Sequence, residues 1–167
     1  GTIKVRHSKK DFDGGSSESN TVRDRQGNET TETRSQDKSG NVTTGKQTKQ
    51  TDSSGKTTIR SETRDSKGNS QIAVSVRDSK GNEQTRVDTV QDGVTSVTNQ
   101  TRKVQDDGGE VVESVTTDST NKRSTTKIVT DKDGKTTTDI NVSDPKNELE
   151  VTSQKIEEAD GRETPPS

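Results

Sequence analysis

The sequence predicts an all-β protein: a tandem meander of antiparallel hairpins with a period of about 13 residues, as an extended single-layer or face-to-face packed sheet with no helices of note. Three observations predict it. A four-residue Asp-x-x-Gly signature recurs almost end to end. The segments between signatures hold about nine residues and are rich in Thr, Val and Ile. Within many of those segments, apolar and charged residues alternate.

The signature appears at Asp11–Gly14, Asp24–Gly27, Asp37–Gly40, Asp52–Gly55, Asp65–Gly68, Asp78–Gly81, Asp106–Gly109 and Asp131–Gly134. Asn replaces the Gly at Asp118–Asn121 and Asp144–Asn147, and shorter Asp92-Gly93 and Asp160-Gly161 turns fill two gaps. An Asp in the first position accepts a hydrogen bond from backbone two residues on. The fourth position takes positive φ, which Gly adopts freely and Asn tolerates. A type I turn closed by such a residue is a common hairpin connection. Pro145 falls at the second position of its turn, where its fixed φ is favoured.

The intervening segments of about nine residues span roughly 30 Å as strands. Counting each repeat from its Asp as zero, the odd positions from five to eleven are expected to share one face. From Asp65 these are Ser70, Ile72, Val74 and Val76; from Asp131, Thr136, Thr138, Ile140 and Val142; from Asp52, Thr57, Ile59, Ser61 and Thr63; from Asp144, Leu149 and Val151. Charges concentrate at even positions, as with Lys56, Arg60, Glu62 and Arg64. Val112 and Ile128 break the rule. The expected self-association face is therefore Ile59, Ile72, Val74, Val76, Val87, Val115, Val129, Ile140, Val142, Leu149 and Val151. The chain divides into a polar, loosely ordered set of hairpins over 1–58, a better-packed meander over 59–157 and a tail over 158–167.

Composition limits the function. Apolar residues make up 16% of the 167, against nearly half in an ordinary domain, so a normal core is out of reach. Phe12 is the single aromatic residue. The 27 basic and 29 acidic residues are interspersed, with no basic block and almost no rings to stack on bases; no nucleic-acid partner is expected. No apolar run approaches membrane-spanning length, so no membrane insertion is expected. The start, Gly1-Thr2-Ile3-Lys4, lacks a signal-peptide stretch and reads as a mature or trimmed end.

Catalytic equipment is sparse. His7 is the one imidazole and Cys is absent, which leaves no zinc cluster and no nucleophile–histidine set. No enzyme activity and no cofactor are expected. Asp131 with Asp133, and Asp106 with Asp107, place carboxylates beside tight turns and are the calcium candidates, though calcium takes six to eight oxygens. Sequons at Asn28, Asn41, Asn99 and Asn141 are candidate N-glycosylation sites.

The run Val76-Arg77-Asp78-Ser79-Lys80-Gly81-Asn82 resembles the strand-turn unit of the Rhs/YD-repeat family, whose turns read Tyr-Asp-x-x-Gly. This chain has no Tyr, so that family's aromatic packing is missing. The polar meander is similar in style to the single-layer sheet of a spirochaete outer surface lipoprotein, an architectural resemblance.

The function expected from these features is a non-catalytic secreted or surface structural protein, such as a matrix, fibre, coat or glue component. Its partner would be itself, as a homo-oligomer or fibre, in an extracellular or cell-surface setting. A second expectation is an adhesin-like binding module or rigid stalk that recognises a surface protein or carbohydrate. A third is ice binding through Thr31/Thr33 and Thr136/Thr138, which charges at Glu83, Glu113 and Lys127 interrupt.

Overall fold

The chain folds into antiparallel strands in strict meander order, as seen in a computed structural model that describes residues 1–10, 14–157 and 163–164. The strands are β1 (Ile3–Lys10), β2 (Ser16–Arg23), β3 (Glu29–Gln36), β4 (Val42–Thr51), β5 (Thr57–Asp65), β6 (Ser70–Arg77), β7 (Glu83–Gln91), β8 (Val94–Val104), β9 (Glu110–Asp118), β10 (Arg123–Thr130), β11 (Thr136–Asp144), β12 (Leu149–Glu157) and the two-residue β13 (Glu163–Thr164). They form one open sheet, and there is no helix among the described residues. The expected Asp160-Gly161 turn and Phe12 lie outside the described residues, as does most of the expected tail. Residues cluster into two compact units, Gly1–Val76 with Val87–Thr95, and Arg77–Arg86 with Ser96–Ser167.

No apolar side chain is buried among the described residues. Backbone pairing and cross-strand contacts therefore carry the fold, and the chain reversals set which side chains meet. The turn at Asp65-Ser66-Lys67-Gly68-Asn69 shows the pattern. Gly68 N–H donates to the Asp65 carbonyl at 3.3 Å, and Asp65 N–H donates to the Asn69 carbonyl at 3.0 Å. Gly68 sits at φ 91°. The five-residue connection recurs at 24–28, 37–41, 52–56, 78–82, 118–122 and 131–135 with the same two backbone bonds. Asn121 takes the positive-φ position at 66°. Asp92 and Gly93, both at positive φ, make the two-residue turn of the primed type that matches strand twist.

Two turns depart from the expected frame. Asp106–Gly109 is displaced by one residue. The bonds run from Gly108 N–H to the Gln105 carbonyl at 3.1 Å and from Gln105 N–H to the Gly109 carbonyl at 2.8 Å, with Gly108 at positive φ. Gly108 supplies the left-handed residue, while Gly109 is needed for clearance: a Cβ there would lie 2.7 Å from the Thr130 carbonyl oxygen. At Asp144–Asn147 the left-handed residue is Glu148, at φ 49°, and not Asn147. The connection there is four residues long, because Asp144 pairs with Leu149.

The expectation that odd positions share one face is corrected by the registers. A five-residue connection pairs residues of like number parity, as in Thr130↔Thr136 and Arg123↔Thr117. A step of 13 changes parity. Equivalent positions of successive repeats therefore fall on opposite faces of the sheet. In the second unit, Val112, Ile128, Ile140, Val142, Leu149 and Val151 share one face, as Val112↔Ile128 and Val142↔Val151 show. Val115 and Val129, assigned to that set from sequence, point to the other side with Lys127 and Asp139. In the first unit, Ile59 lies in the row Arg23, Glu29, Lys49, Ile59, whereas Ile72 lines a depression with Lys46 and Glu62 on the opposite face.

Over residues 1–58, β1 to β4 pair along their length in continuous register. Charge pairs and hydroxyl pairs stand in for apolar contacts there. Arg6 meets Glu18 at 2.7 Å and Lys46 meets Glu32 at 3.2 Å. The Thr21 and Thr31 hydroxyls lie 3.0 Å apart. Such cross-strand pairs each contribute a fraction of a kcal/mol, and their number matters more than any one of them.

Two glycines separate backbone strain from crowding. A Cβ on Gly68 would meet nothing within 4 Å, so Gly68→Ala is expected to cost about 1–2 kcal/mol from φ alone, and Gly68→Asn less. Gly109→Ala is expected to cost about 1–3 kcal/mol from the clash with Thr130, with Asn no better than Ala. Urea unfolding of the four variants checks this; an Asn rescue at 109 as large as at 68 would contradict it.

Candidate functional site

The most elaborated chemistry of the chain lies in its turns. At 65–69, Asp65 Oδ1 accepts from Lys67 N–H at 2.9 Å and Asn69 N–H at 2.8 Å. Asp65 Oδ2 accepts from the Asn69 side-chain amide at 2.9 Å. Asp24 with Asn28, Asp37 with Asn41 and Asp78 with Asn82 repeat the clasp, with amide-to-carboxylate distances of 2.9, 2.7 and 2.9 Å. The repeat is thus Asp-x-x-Gly-Asn at these turns. The Asn was missed as a structural residue from sequence, although its recurrence after the Gly was there to be read. Its carbonyl oxygen can also tie one turn to another. Asn69 Oδ1 accepts from Asp92 N–H at 2.8 Å, and Asn82 Oδ1 from Val104 N–H at 2.9 Å.

These hydrogen bonds favour the ionised carboxylate. The Asn28, Asn41, Asn69 and Asn82 side chains hold Asp24, Asp37, Asp65 and Asp78 below the usual carboxylate range, and backbone N–H donors add to the effect. Ser54 and Thr120 hydroxyls do the same for Asp52 and Asp118.

The same accounting places the calcium candidates. Asp131 Oδ1 accepts from Asp133 and Lys135 N–H, both at 2.9 Å, and Asp133 pairs with Lys132 at 3.1 Å. Asp107 Oδ1 accepts from Gly109 N–H at 3.0 Å, with Asp106 inside the same turn. Among the described residues no three His, Asp or Glu side chains converge on a point that could hold a metal ion. His7 sits exposed on β1, opposite Ser19. Of the sequons, Asn28 and Asn41 have their amides engaged in turn clasps, while Asn99 and Asn141 are exposed on β8 and β11.

Two surfaces have a defined character. In the first unit a depression of about 610 Å³ lies over β2 to β6, with Glu18, Glu32 and Glu62 set among Arg34, Lys46 and Arg64. Lys46 stands between Glu32 and Glu62 on neighbouring strands, and the charges compensate one another. In the second unit the two faces of β9 to β12 differ sharply. One carries Val112, Ile128, Ile140, Val142 and Val151 among Ser114, Thr126 and Thr138, with no charge in the middle of β9 to β11. Its charged groups lie around that middle, in the Arg102–Glu110 pair at 2.6 Å, the Lys122–Asp144 pair at 3.9 Å and, on β12, the Lys155–Glu157 pair at 2.7 Å, where Lys155 stands opposite Thr138. The other face has the row Glu113, Lys127 and Asp139 across its middle, with the Lys127–Glu113 pair at 3.4 Å, Arg123 and Glu150 near one end, and Val111, Val115 and Val129 beside these charges.

No family model, no curated protein and no solved structure matches this chain. Its function is therefore read from these surfaces and turns.

The clasps set an acid limit on stability. A folded pKa below the unfolded one gives stability that is complete above the unfolded value, about 3.9 for Asp, and is lost as pH falls through the folded value. The melting temperature is expected to hold steady above about pH 5 and to fall below the unfolded Asp value. A chain with Asn28, Asn41, Asn69 and Asn82 all replaced by Ala is expected to melt lower at neutral pH and to show a smaller acid drop. Equal acid drops in the two chains, followed by circular dichroism, would remove the clasps as the cause.

Proposed function

We propose that this chain is a non-catalytic structural β-repeat protein that works by self-association, as a component of a matrix, fibre or coat at a cell surface or outside the cell. The observation that carries the reading is a sheet with no buried apolar side chain among the described residues that nevertheless gathers Val112, Ile128, Ile140, Val142, Leu149 and Val151 on one face of its second unit. Leu149 and Val151 remain 46% exposed and Ile140 36%. Covering such side chains contributes free energy in proportion to the apolar area removed from water, and a second layer is the usual way a sheet achieves it. The turns support a scaffold role: their polar groups are consumed in holding the chain reversal. The extracellular part of the reading rests on the exposed sequons at Asn99 and Asn141.

The charged depression over β2 to β6 favours a second reading, a binding module for a partner that carries both signs of charge. Its discriminating feature is salt. A pairing of exposed charges weakens as the screening length shrinks, whereas apolar burial does not.

The primary reading expects sedimentation velocity to show mass growing with protein concentration, with association undiminished in 1 M sodium chloride. A chain that stays monomeric up to millimolar concentration would end the self-association reading.

A further inference from the structure

We propose that a second copy of this chain packs on the uncharged face of β9 to β12, in a face-to-face pairing of two sheets; this rests on the self-association reading and names the surface that performs it. Three observations carry the choice of face and occupant. The first is the segregation of charge. Val112, Ile128, Ile140, Val142 and Val151 run diagonally across the four strands with Ser and Thr between them, and the charges that β12 adds to this face, Lys155 and Glu157, are paired with each other at its end at 2.7 Å. The reverse side carries Glu113, Lys127 and Asp139 in its centre, and burying those would cost their hydration.

The second observation concerns hydrogen bonding. Thr hydroxyls both donate and accept, so an array of them is complementary to itself. Thr98 and Thr116 on this face already lie 2.7 Å apart, oxygen to oxygen, and Thr130 and Thr136 lie 3.3 Å apart. A face of carboxylates or ammonium groups would need a partner of opposite sign; this one is matched by its own copy. The third is area. Four strands of eight or nine residues, at ~4.8 Å between strands and ~3.3 Å per residue, present about 500 Å². Two such faces together reach about 1,000 Å², the size at which specific interfaces begin. The sequons add a consistent detail: Asn99 and Asn141 both lie on the charged side, so glycans there would leave the uncharged face open.

The test places a charge on each face of the full chain. Thr126→Lys and Ile128→Lys sit on the uncharged face, Thr125→Lys and Val129→Lys on the other. Sedimentation equilibrium is expected to show dissociation constants raised about tenfold or more by the first pair, because each buries an unpaired charge, and little changed by the second. Should a Lys variant lose its sheet signal in circular dichroism, the Cys-free chain offers a gentler probe. Thr138→Cys is expected to cross-link between copies with a flexible bismaleimide, and Thr137→Cys, on the opposite face, is not. If the native chain associates while the uncharged-face variants associate equally well, or if Thr137→Cys cross-links as efficiently as Thr138→Cys, the assigned face is wrong and self-association stands. If the native chain never associates, both fall.

Discussion

Everything in this sheet depends on the closure of a five-residue reversal. The Asp carboxylate accepts two backbone N–H groups, the left-handed residue turns the chain, and the returning strand leaves in a fixed register. In a protein with a core, a slipped hairpin is penalised by the apolar side chains it exposes. Here no apolar side chain is buried among the described residues, so that penalty is weak. The turns take over the task of specifying register, which explains why so much hydrogen bonding is invested in exposed loops. An Asp–Asn clasp links the first and fifth residues of a connection and so counts its length.

That length has a consequence for the faces. Because the connection has an odd number of residues and the repeat is also odd, the same repeat position alternates between the two sides of the sheet. A single 13-residue repeat does not define a face; two in succession do. Val129 and Val142 occupy equivalent places 13 residues apart and lie on opposite sides. The four-residue connection after Asp144 restores the phase, so Val151 joins Val142. The uncharged face is thus assembled from different positions in successive repeats.

This explains what could be read from the sequence. The strands and their order were legible, because Asp-x-x-Gly punctuation and β-branched segments are local signals. Pro145 and Asn121 behaved as their φ preferences require. The faces were only partly legible. Assigning them needs the register of each hairpin, and register depends on connection length, which Asp-x-x-Gly alone leaves open by one residue. Val112 and Ile128, exceptions under a fixed-position rule, are directly opposite one another and belong with Ile140. The displaced turn at Gln105–Gly108 was obscured by two adjacent glycines and two adjacent aspartates, of which only the structure shows which takes positive φ. Asn28 and Asn41 differ from Asn99 and Asn141 already in sequence, since the first two follow the turn Gly, but the clasp that engages their amides is seen only in space.

The two units solve the same problem with different chemistry. In the first, opposite charges sit across strands, as with Glu32, Lys46 and Glu62, and the resulting surface repels a copy of itself wherever like charges would meet. In the second, charge is concentrated on one side of β9 to β11, and on the other it is held in pairs around the middle, Lys155–Glu157 of β12 among them. A sheet charged on both faces stays soluble but has nothing to assemble with; a sheet apolar on both stacks without limit. Charge on one face alone permits a two-layer pairing and blocks a third layer. In the proposed pairing, the division of faces in β9 to β12 would limit assembly as much as promote it, through the choice of side chains at alternating positions.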